Sequence, residues 1–341
     1  MPEYALLVSP STNRVYSDAA AGLTLAELAV FGERVLGGAL GTPRVERMGS
    51  VEYLAFGAEG LGERALAVLS NLSSAFALFA LADGRLRPLE LRRLDRFDSD
   101  LLTIQRYAGK TNETFTKLLL NVTLASSAFA PELLERTFTV LDPLCGRGTT
   151  LNQALMYGFD AAGVEIDGKD FDAYAAFIKR WVKDKRLKHR VHVGHVKGHR
   201  RIALDIGLDK AGFRQGKALH LAVVNASTLE SAEVYPPRSF DVVVADAPYG
   251  VKHASAGPRG ELSRSPLELL KEAAPVWREA LRPGGALGIA WNVRVARREV
   301  VAEALAQGGL EPCDSPPYRR FQHRVDQAIL RDVVVARRPE A

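Results

Sequence analysis

VLDPLCGRGTTL, residues 140–151, is an apolar run that breaks into a turn at Asp142 and Pro143, passes Gly146 and Gly148, and resumes as a helical pattern at Thr149. Glycines at those two places let the backbone turn tightly and approach a ligand with no Cβ in the way, and Thr149 or Thr150 is placed to cap the helix that begins there. Working outward, the same rhythm of strand, turn and helix repeats. FTVLDP (138–143), AAGVEI (161–166), ALHLAVVNA (218–226), FDVVVADAP (240–248) and GGALGIAW (284–291) are short runs rich in Val, Ile, Leu and Ala, separated by helical patterns. Apolar strands alternating with helices indicate a parallel sheet covered on both faces, an α/β fold. The last run, DQAILRDVVVARR (326–338), has no helix after it and is expected as an antiparallel edge strand.

Upstream, residues 1–100 carry their own alternation. YALLV (4–8) and VEYLAFGA (51–58) read as strands and TLAELAVFGERVL (24–36) as an amphipathic helix. GERALAVLSNLSSAFALFALA (62–82) reads as one long, mostly buried helix with a strand at its end. The chain therefore divides into a small α+β domain over 1–100, a polar connector and helix over 101–130, and an α/β domain over 131–341 with a basic insert at 179–216.

At 341 residues there is room for two or three domains and a sizeable core, which excludes a lone small module. Hydrophobic residues make up 47% and charged residues 25%, a globular mix rather than a disordered one. Cys145 and Cys313 form no CxxC pair, which excludes a zinc ribbon or a disulfide framework and suits a reducing cytoplasm. The greasiest stretch, 66–82, is broken by Ser70, Asn71, Ser73 and Ser74 and falls short of a membrane span. MPEYALLVSPS has no basic flank and does not read as a signal peptide, so a cytoplasmic protein with no membrane contact is expected.

In open α/β sheets ligands bind at the carboxyl ends of the strands. Glu165 ends the second strand, seventeen residues after Gly148, where a carboxylate accepts hydrogen bonds from both hydroxyls of a ribose. A dinucleotide fingerprint needs Gly or Ala where Leu151 stands, and a phosphate-binding P-loop needs a GK[ST] ending that is missing. Elimination favours S-adenosylmethionine, which carries a ribose and no phosphate; the plain alternative is a glycine turn with no ligand. Asn225 and Ala226, after the third strand, are candidates for the adenine amine, although Asn225 equally suits a turn.

Asp246, Ala247, Pro248 and Tyr249 follow the fourth strand. An exocyclic amine on a base is a poor nucleophile because its lone pair is delocalised into the ring. An enzyme must therefore hold both N–H groups and draw the nitrogen toward tetrahedral geometry. Asp246 and the carbonyl of Ala247 offer two acceptors, Pro248 stiffens the loop, and Tyr249 offers a flat ring for stacking. Methyl transfer would then rest on in-line alignment and on stabilising the positive charge that develops on nitrogen. In isolation DAPYG is also a plain turn.

RYAGKTNETFTKLLLNVTLA (106–125), LDPLCGRGTTLNQALMYG (141–158), GVEID (163–167) and ADAPYG (245–250) occur in that order. The set resembles the class I S-adenosylmethionine-dependent methyltransferases that modify exocyclic amines and share a [DN]PP[YFW] motif. It is most similar to the tRNA guanine-N2 methyltransferases with an amino-terminal THUMP-type RNA-binding region. The resemblance spans about residues 100–338 and implies a class I (Rossmann-like) domain with a mostly parallel seven-stranded sheet beside a smaller N-terminal α+β domain. It further implies that Asp142, Pro143, Cys145, Gly146, Gly148 and Thr149 line the cofactor, with Glu165 on its ribose and Asn225 and Ala226 by its adenine. Asp246, Ala247, Pro248 and Tyr249 would then engage the substrate base. Three features depart from the family pattern: DAPY replaces DPPY, Asn225 stands where Asp is commoner, and the first hundred residues are short for a complete ferredoxin-like plus THUMP pair.

Net charge is +5, yet residues 179–201 hold ten Lys or Arg and one Asp, a local +9 that leaves −4 on the other 318 residues. Such a concentration attracts a polyanion, and nucleic acid is the commonest in the cytosol; the alternative is a solvated surface loop. Lys183, Lys185, Arg186, Lys188, Arg190, Arg200 and Arg201 are the candidate contacts, with tRNA the expected partner. His189, His192, His195 and His199 lie in the same segment. No metal is expected there, since no Cys accompanies them and Gly194 and Gly198 interrupt any helical face. Trp181 and YRRFQHR (318–324) are candidate stacking surfaces for unpaired bases, against the alternative of a buried Trp and a solvated arginine face. Two other functions remain open: a DNA or small-molecule amino methyltransferase on the same domain, and a nucleic-acid-binding protein without activity.

Overall fold

The computed structural model describes residues 1–10, 14–247 and 265–340. Strand β1 (Glu3–Val8), helix α1 (Arg14–Arg34), strands β2 (Arg44–Met48) and β3 (Val51–Gly57), helix α2 (Glu63–Ser70) and strands β4 (Ala75–Ala82) and β5 (Arg85–Leu89) build the amino-terminal part. Its antiparallel sheet runs β2-β3-β1-β4-β5, a ferredoxin-like split βαβ arrangement with one strand added. Tyr4, Leu6, Leu54, Phe56 and Leu78 point to the face covered by the helices and are buried.

The long helix expected over 62–82 is shorter, eight residues ending at Ser70, and after a turn the strand expected at its end follows as β4. Helix α2 stops at Ser70 because the polar side chains after it serve the backbone of other segments. The Asn71 amide donates to Ala67 and Arg92 carbonyls and accepts from the Leu94 N–H, while the Ser73 N–H donates to buried Glu27 at 3.0 Å. The run from Ala75 to Ala82 then pairs with β1 as a strand.

A connector carrying the short helix α3 (Asp100–Thr103) leads to α4 (Glu113–Ser126), whose amino terminus is capped by the Asn112 side chain, accepting from Thr114 and Phe115 N–H groups. The second sheet contains β6 (Thr139–Asp142), β7 (Asp160–Val164), β8 (His189–Val196), β9 (His199–Ile206), β10 (Leu219–Val224), β11 (Phe240–Asp246), β12 (Leu281–Asn292), β13 (Glu311–Pro312), β14 (His323–Arg324) and β15 (Leu330–Arg337). Between them lie α5 (Thr149–Met156), α6 (Gly168–Asp184), α7 (Lys210–Arg214), α8 (Ser231–Val234), α9 (Pro266–Ala280) and α10 (Arg298–Gln307).

The order β10-β7-β6-β11-β12-β15-β13 gives the seven-stranded core, with five neighbouring parallel strands and β15 antiparallel to β12. This is the Rossmann-like class I arrangement, with the strand order reversing beside β6. Two features extend it. The basic segment forms a hairpin, β8-β9, antiparallel to β10, and β14 adds to β15, bringing the sheet to ten strands. Strand β15 is antiparallel as expected, but it is no edge strand, because β13 and β14 both pair with it. Helices α4, α5 and α6 share one core with the amino-terminal part, and α9 and α10 cover a second core on the opposite face. Among the described residues no helix is long and apolar enough to cross a membrane.

Candidate active site

Strand β6 delivers Asp142 to the carboxyl edge of the sheet, and the chain then turns through residues 143–148 into α5. Gly148, not a threonine, is the N-cap residue of α5, in a left-handed conformation with φ 78°. A Cβ there would lie 2.2 Å from the buried ring of Tyr174, so only glycine fits both the dihedral and the packing. The Thr149 hydroxyl pairs with Tyr107 Oη at 3.3 Å, and neither threonine side chain caps the helix. The Cys145 carbonyl accepts from the Gly148 N–H at 2.7 Å, while its side chain is buried against Gly163 of β7. Cys145 thus contributes backbone to the turn, and burial pushes its thiol up, leaving it inert. Pro143 is buried in the same turn.

Glu165 stands just beyond β7. Its two oxygens accept the Gly146 and Asp167 N–H groups, each at 2.7 Å, which ties the glycine turn to the second strand and orients the carboxylate. Partial burial raises its pKa. Ile166 follows it and is 57% exposed, apolar surface beside a carboxylate that the sequence reading passed over.

Asn225 does not offer its side chain to a ligand. Its amide donates to the Glu165 and Ile166 carbonyls at 2.8 and 3.1 Å, and its Oδ1 accepts from Arg200 at 2.9 Å. It is the turn residue that braces the end of β7, a role open to any short amide that reaches two carbonyls. Ala226 is buried and donates its N–H to the Glu165 carbonyl at 3.1 Å.

Asp246 closes β11 with its side chain 17% exposed. The Thr111 hydroxyl donates to its Oδ2 at 2.6 Å, and the Arg331 guanidinium, itself nearly buried over the Phe115 ring, stands 4.0 Å from the same oxygen. The Ala247 N–H donates to the Ala290 carbonyl, which fixes the chain as it leaves the strand. Pro248 and Tyr249 lie outside the described residues. Buried His323 sits in the same neighbourhood, donating Nδ1–H to the Phe321 carbonyl, and burial lowers its pKa to about 4, so the ring is neutral.

Asp142, Glu165 and Asp246 therefore converge on one rim, at the ends of three adjacent strands. Asp142 is fully enclosed, and burial, reinforced by the charges of Asp246 and Glu165, pushes its pKa up to about 7. A buried carboxyl so disposed ionises readily only when a cation comes beside it.

The connector crosses this rim. Gln105 donates to the Arg147 carbonyl at 3.1 Å, Tyr107 meets Thr149, and Thr111 reaches Asp246, so one segment touches both the glycine turn and the carboxylate at the end of β11. No spacing rule in the sequence announces Gln105, Tyr107, Thr111 or Arg331.

The basic segment does not form a single patch. Strand β10 runs toward the site, so antiparallel β9 begins there, placing Arg200 and Arg201 at the site's edge. Arg200 is held by Asp172 and Asn225. Lys183, Lys185, Arg186, Lys188 and Arg190, in contrast, follow the far end of α6, at the opposite edge of the sheet. Lys185 is committed to Asp98 and Asp100 at 2.6 and 2.7 Å and anchors the connector. Trp181 is buried, donating to Asp100, and Tyr318, Phe321 and His323 are buried as well, so the aromatic rings of both stacking candidates are withdrawn from solvent, while Arg319, Arg320 and Arg324 form an exposed arginine face. Among the described residues no group of His, Cys, Asp or Glu is arranged to hold a metal ion; His192 and His220 flank Asp205 as ion-pair partners.

Residues 113–282 match the family model UPF0020, described as "RMKL-like, methyltransferase domain". No curated protein matches the chain. Among solved structures, similarity extends to a methyltransferase from Pyrococcus furiosus, at 14% identity over 69% of this chain and 88% of that one, with a TM-score of 0.40. The N-methyltransferase NodS from Bradyrhizobium japonicum gives 14% identity over 66% and 95%, with a TM-score of 0.40. A TehB-like SAM-dependent methyltransferase from Corynebacterium glutamicum gives 15% identity over 59% and 80%, with a TM-score of 0.34.

Proposed function

Through residues 113–282 the chain belongs to the RMKL-like methyltransferase family, and from that premise we propose that it methylates the exocyclic N2 amine of guanosine in cytoplasmic tRNA. It is an S-adenosylmethionine-dependent methyltransferase. The residues fit that donor: at Gly146 nothing lies within 4 Å of where a Cβ would stand, so the turn is open to close backbone approach, Glu165 is oriented for ribose hydroxyls, and Asp142 is a buried carboxyl that a cationic methionine moiety would ionise. When bound, S-adenosylmethionine supplies a methyl group on a positively charged sulfur.

The observation that carries the substrate reading is the placement of Asp246, a carboxylate pinned by Thr111 at the strand end beside that acidic rim. Its carboxylate would accept an N–H from the amine, favour the positive charge that develops on nitrogen, and take the proton the nitrogen loses. Ile166 offers an apolar face for the adenine of the donor. The single-sign charge of the basic segment supports a polyanionic substrate over a small metabolite.

Incubation with methyl-labelled S-adenosylmethionine and, in parallel, total tRNA, genomic DNA and a metabolite extract tests this. The expected product is labelled N2-methylguanosine in the nucleosides of digested tRNA. Label confined to DNA or to the metabolite fraction would overturn the RNA assignment and leave the amine chemistry standing.

A further inference from the structure

At the edge of the sheet away from the candidate site, several parts of the chain bring like charges together. Lys183 and Arg186 leave the end of α6, Lys188 and Arg190 enter β8, and all four are exposed. The connection between β9 and β10 adds exposed Lys210, Arg214 and Lys217. These pieces are in contact. The Gly207 N–H donates to the Lys188 carbonyl at 2.7 Å, and the Arg190 guanidinium lies over the ring of Phe213 in α7. Three acids lie among them: Asp184 pairs with Arg180, Asp209 caps α7 through the Gly212 N–H, and Asp205 pairs with His192, His220 and, at 4.0 Å, Arg190. The result is a surface on which seven cations outnumber three acids, built from residues that the sequence separates into two segments.

Helix α6 separates this surface from the active site. It begins beside Glu165 and runs 17 residues, about 25 Å at 1.5 Å per residue, with Lys183 in its last turn. A nucleotide in the site does not reach that far, whereas a folded RNA does.

We propose that this cation cluster is a second contact for the substrate, gripping the phosphodiester backbone of a folded RNA about 25 Å from the reacting base. The proposal rests on the reading that the substrate is RNA. The cluster adds affinity for long acceptors only; it takes no part in methyl transfer. The enzyme thereby discriminates between a folded RNA and a short piece of the same sequence by the number of phosphates each can reach.

The test uses the full chain and a triple variant, Lys183→Glu, Lys188→Glu and Lys217→Glu, with total tRNA and with fragments of about 3 nucleotides made from it by alkaline hydrolysis, too short at about 3.4 Å per nucleotide to bridge the distance. For intact tRNA, KM should rise at least about tenfold, and the slope of log binding constant against log salt should fall by about 2 to 3, since each phosphate contact contributes roughly 0.7 to 0.9. The kcat on tRNA, the affinity for S-adenosylmethionine and the binding of the fragments should stay at wild-type values. The corresponding Lys→Gln triple should fall between the two. An unchanged salt slope, or an equal loss of affinity for tRNA and fragments, overturns the second contact. Failure of the wild-type chain to methylate or bind any RNA overturns the substrate reading instead.

Discussion

Thr111 donates its hydroxyl to Oδ2 of Asp246 across 2.6 Å, joining residues 135 positions apart in the chain. The contact places the segment before α4 directly on the carboxylate that would receive the substrate amine. Because Asn112 caps α4 immediately afterwards, the backbone at Thr111 is held from one side and its hydroxyl from the other.

Thr111→Val keeps the shape and removes the donor. A hydrogen bond to a charged group contributes about 1.5 to 3 kcal/mol, so kcat should fall about 10- to 100-fold. Cofactor affinity by calorimetry should be unchanged, and Thr111→Ser should recover most of the rate. Equal losses in the Val and Ser variants would show that the hydroxyl is not what matters.

Asp142 has its pKa raised to about 7 and must ionise to accompany a cationic donor. Binding of S-adenosylmethionine should therefore release a proton below pH 7. Its affinity should climb with pH, by at most about tenfold per unit, and level off above 7. Calorimetry in buffers of different ionisation enthalpy measures the proton directly, and Asp142→Asn should weaken binding and remove its pH dependence. Proton uptake on binding would contradict the assignment.

Gly148→Ala forces a Cβ into the Tyr174 ring at a φ of 78°. The turn must then move, and affinity for S-adenosylmethionine should drop more than about tenfold together with a fall of about 1 to 3 kcal/mol in stability. Urea unfolding and equilibrium dialysis report the two effects, and a variant with wild-type affinity would remove the turn from the cofactor site.

Asn121 links the two halves of the molecule. Its amide donates to Glu27 at 2.7 Å and to the Asn71 carbonyl at 2.8 Å, and accepts from Tyr157 at 2.9 Å, all out of contact with water. Asn121→Leu leaves those groups without partners and should cost about 3 kcal/mol by urea unfolding. Burial also pushes Glu27 up to about 7, above the roughly 4.3 of an unfolded Glu. The folded state thus holds that proton longer than the unfolded one, so the cofactor-free chain should lose stability as pH rises from about 4.3 through 7. Because His323 and Asp142 titrate over the same interval, the readout is the difference from Glu27→Gln, which should lose less stability than the wild-type chain; an equal loss in the two would show that Glu27 is not buried as described.

Much of this was open to inspection in one dimension. The turn at Gly146 and Gly148, Glu165 at the next strand end and Asp246 at the fourth are each local signals, since a strand, a glycine turn and a helix start are written in adjacent residues. The alternation of apolar runs then orders those signals along one edge of a parallel sheet, because parallel strands with helical crossovers all present their carboxyl ends on the same side. The overlong helix expected before the strand in 62–82 shows the limit of periodicity: Ser70, Asn71 and Ser73 have partners, Glu27 and the backbone near residue 92, too distant in sequence to be seen.

The rest depended on long-range packing. That Thr111 meets Asp246, that Asn225 spends its amide on backbone carbonyls, and that β13 and β14 pair with β15 are consequences of how separate segments meet in space. The basic run is the clearest instance. It is contiguous as a string, yet strand β8 carries it across the sheet, leaving Lys183 to Arg190 at the far edge and Arg200 and Arg201 at the site's edge, because strand direction is set by pairing with β10 through β9 and carries no signature in the charges themselves.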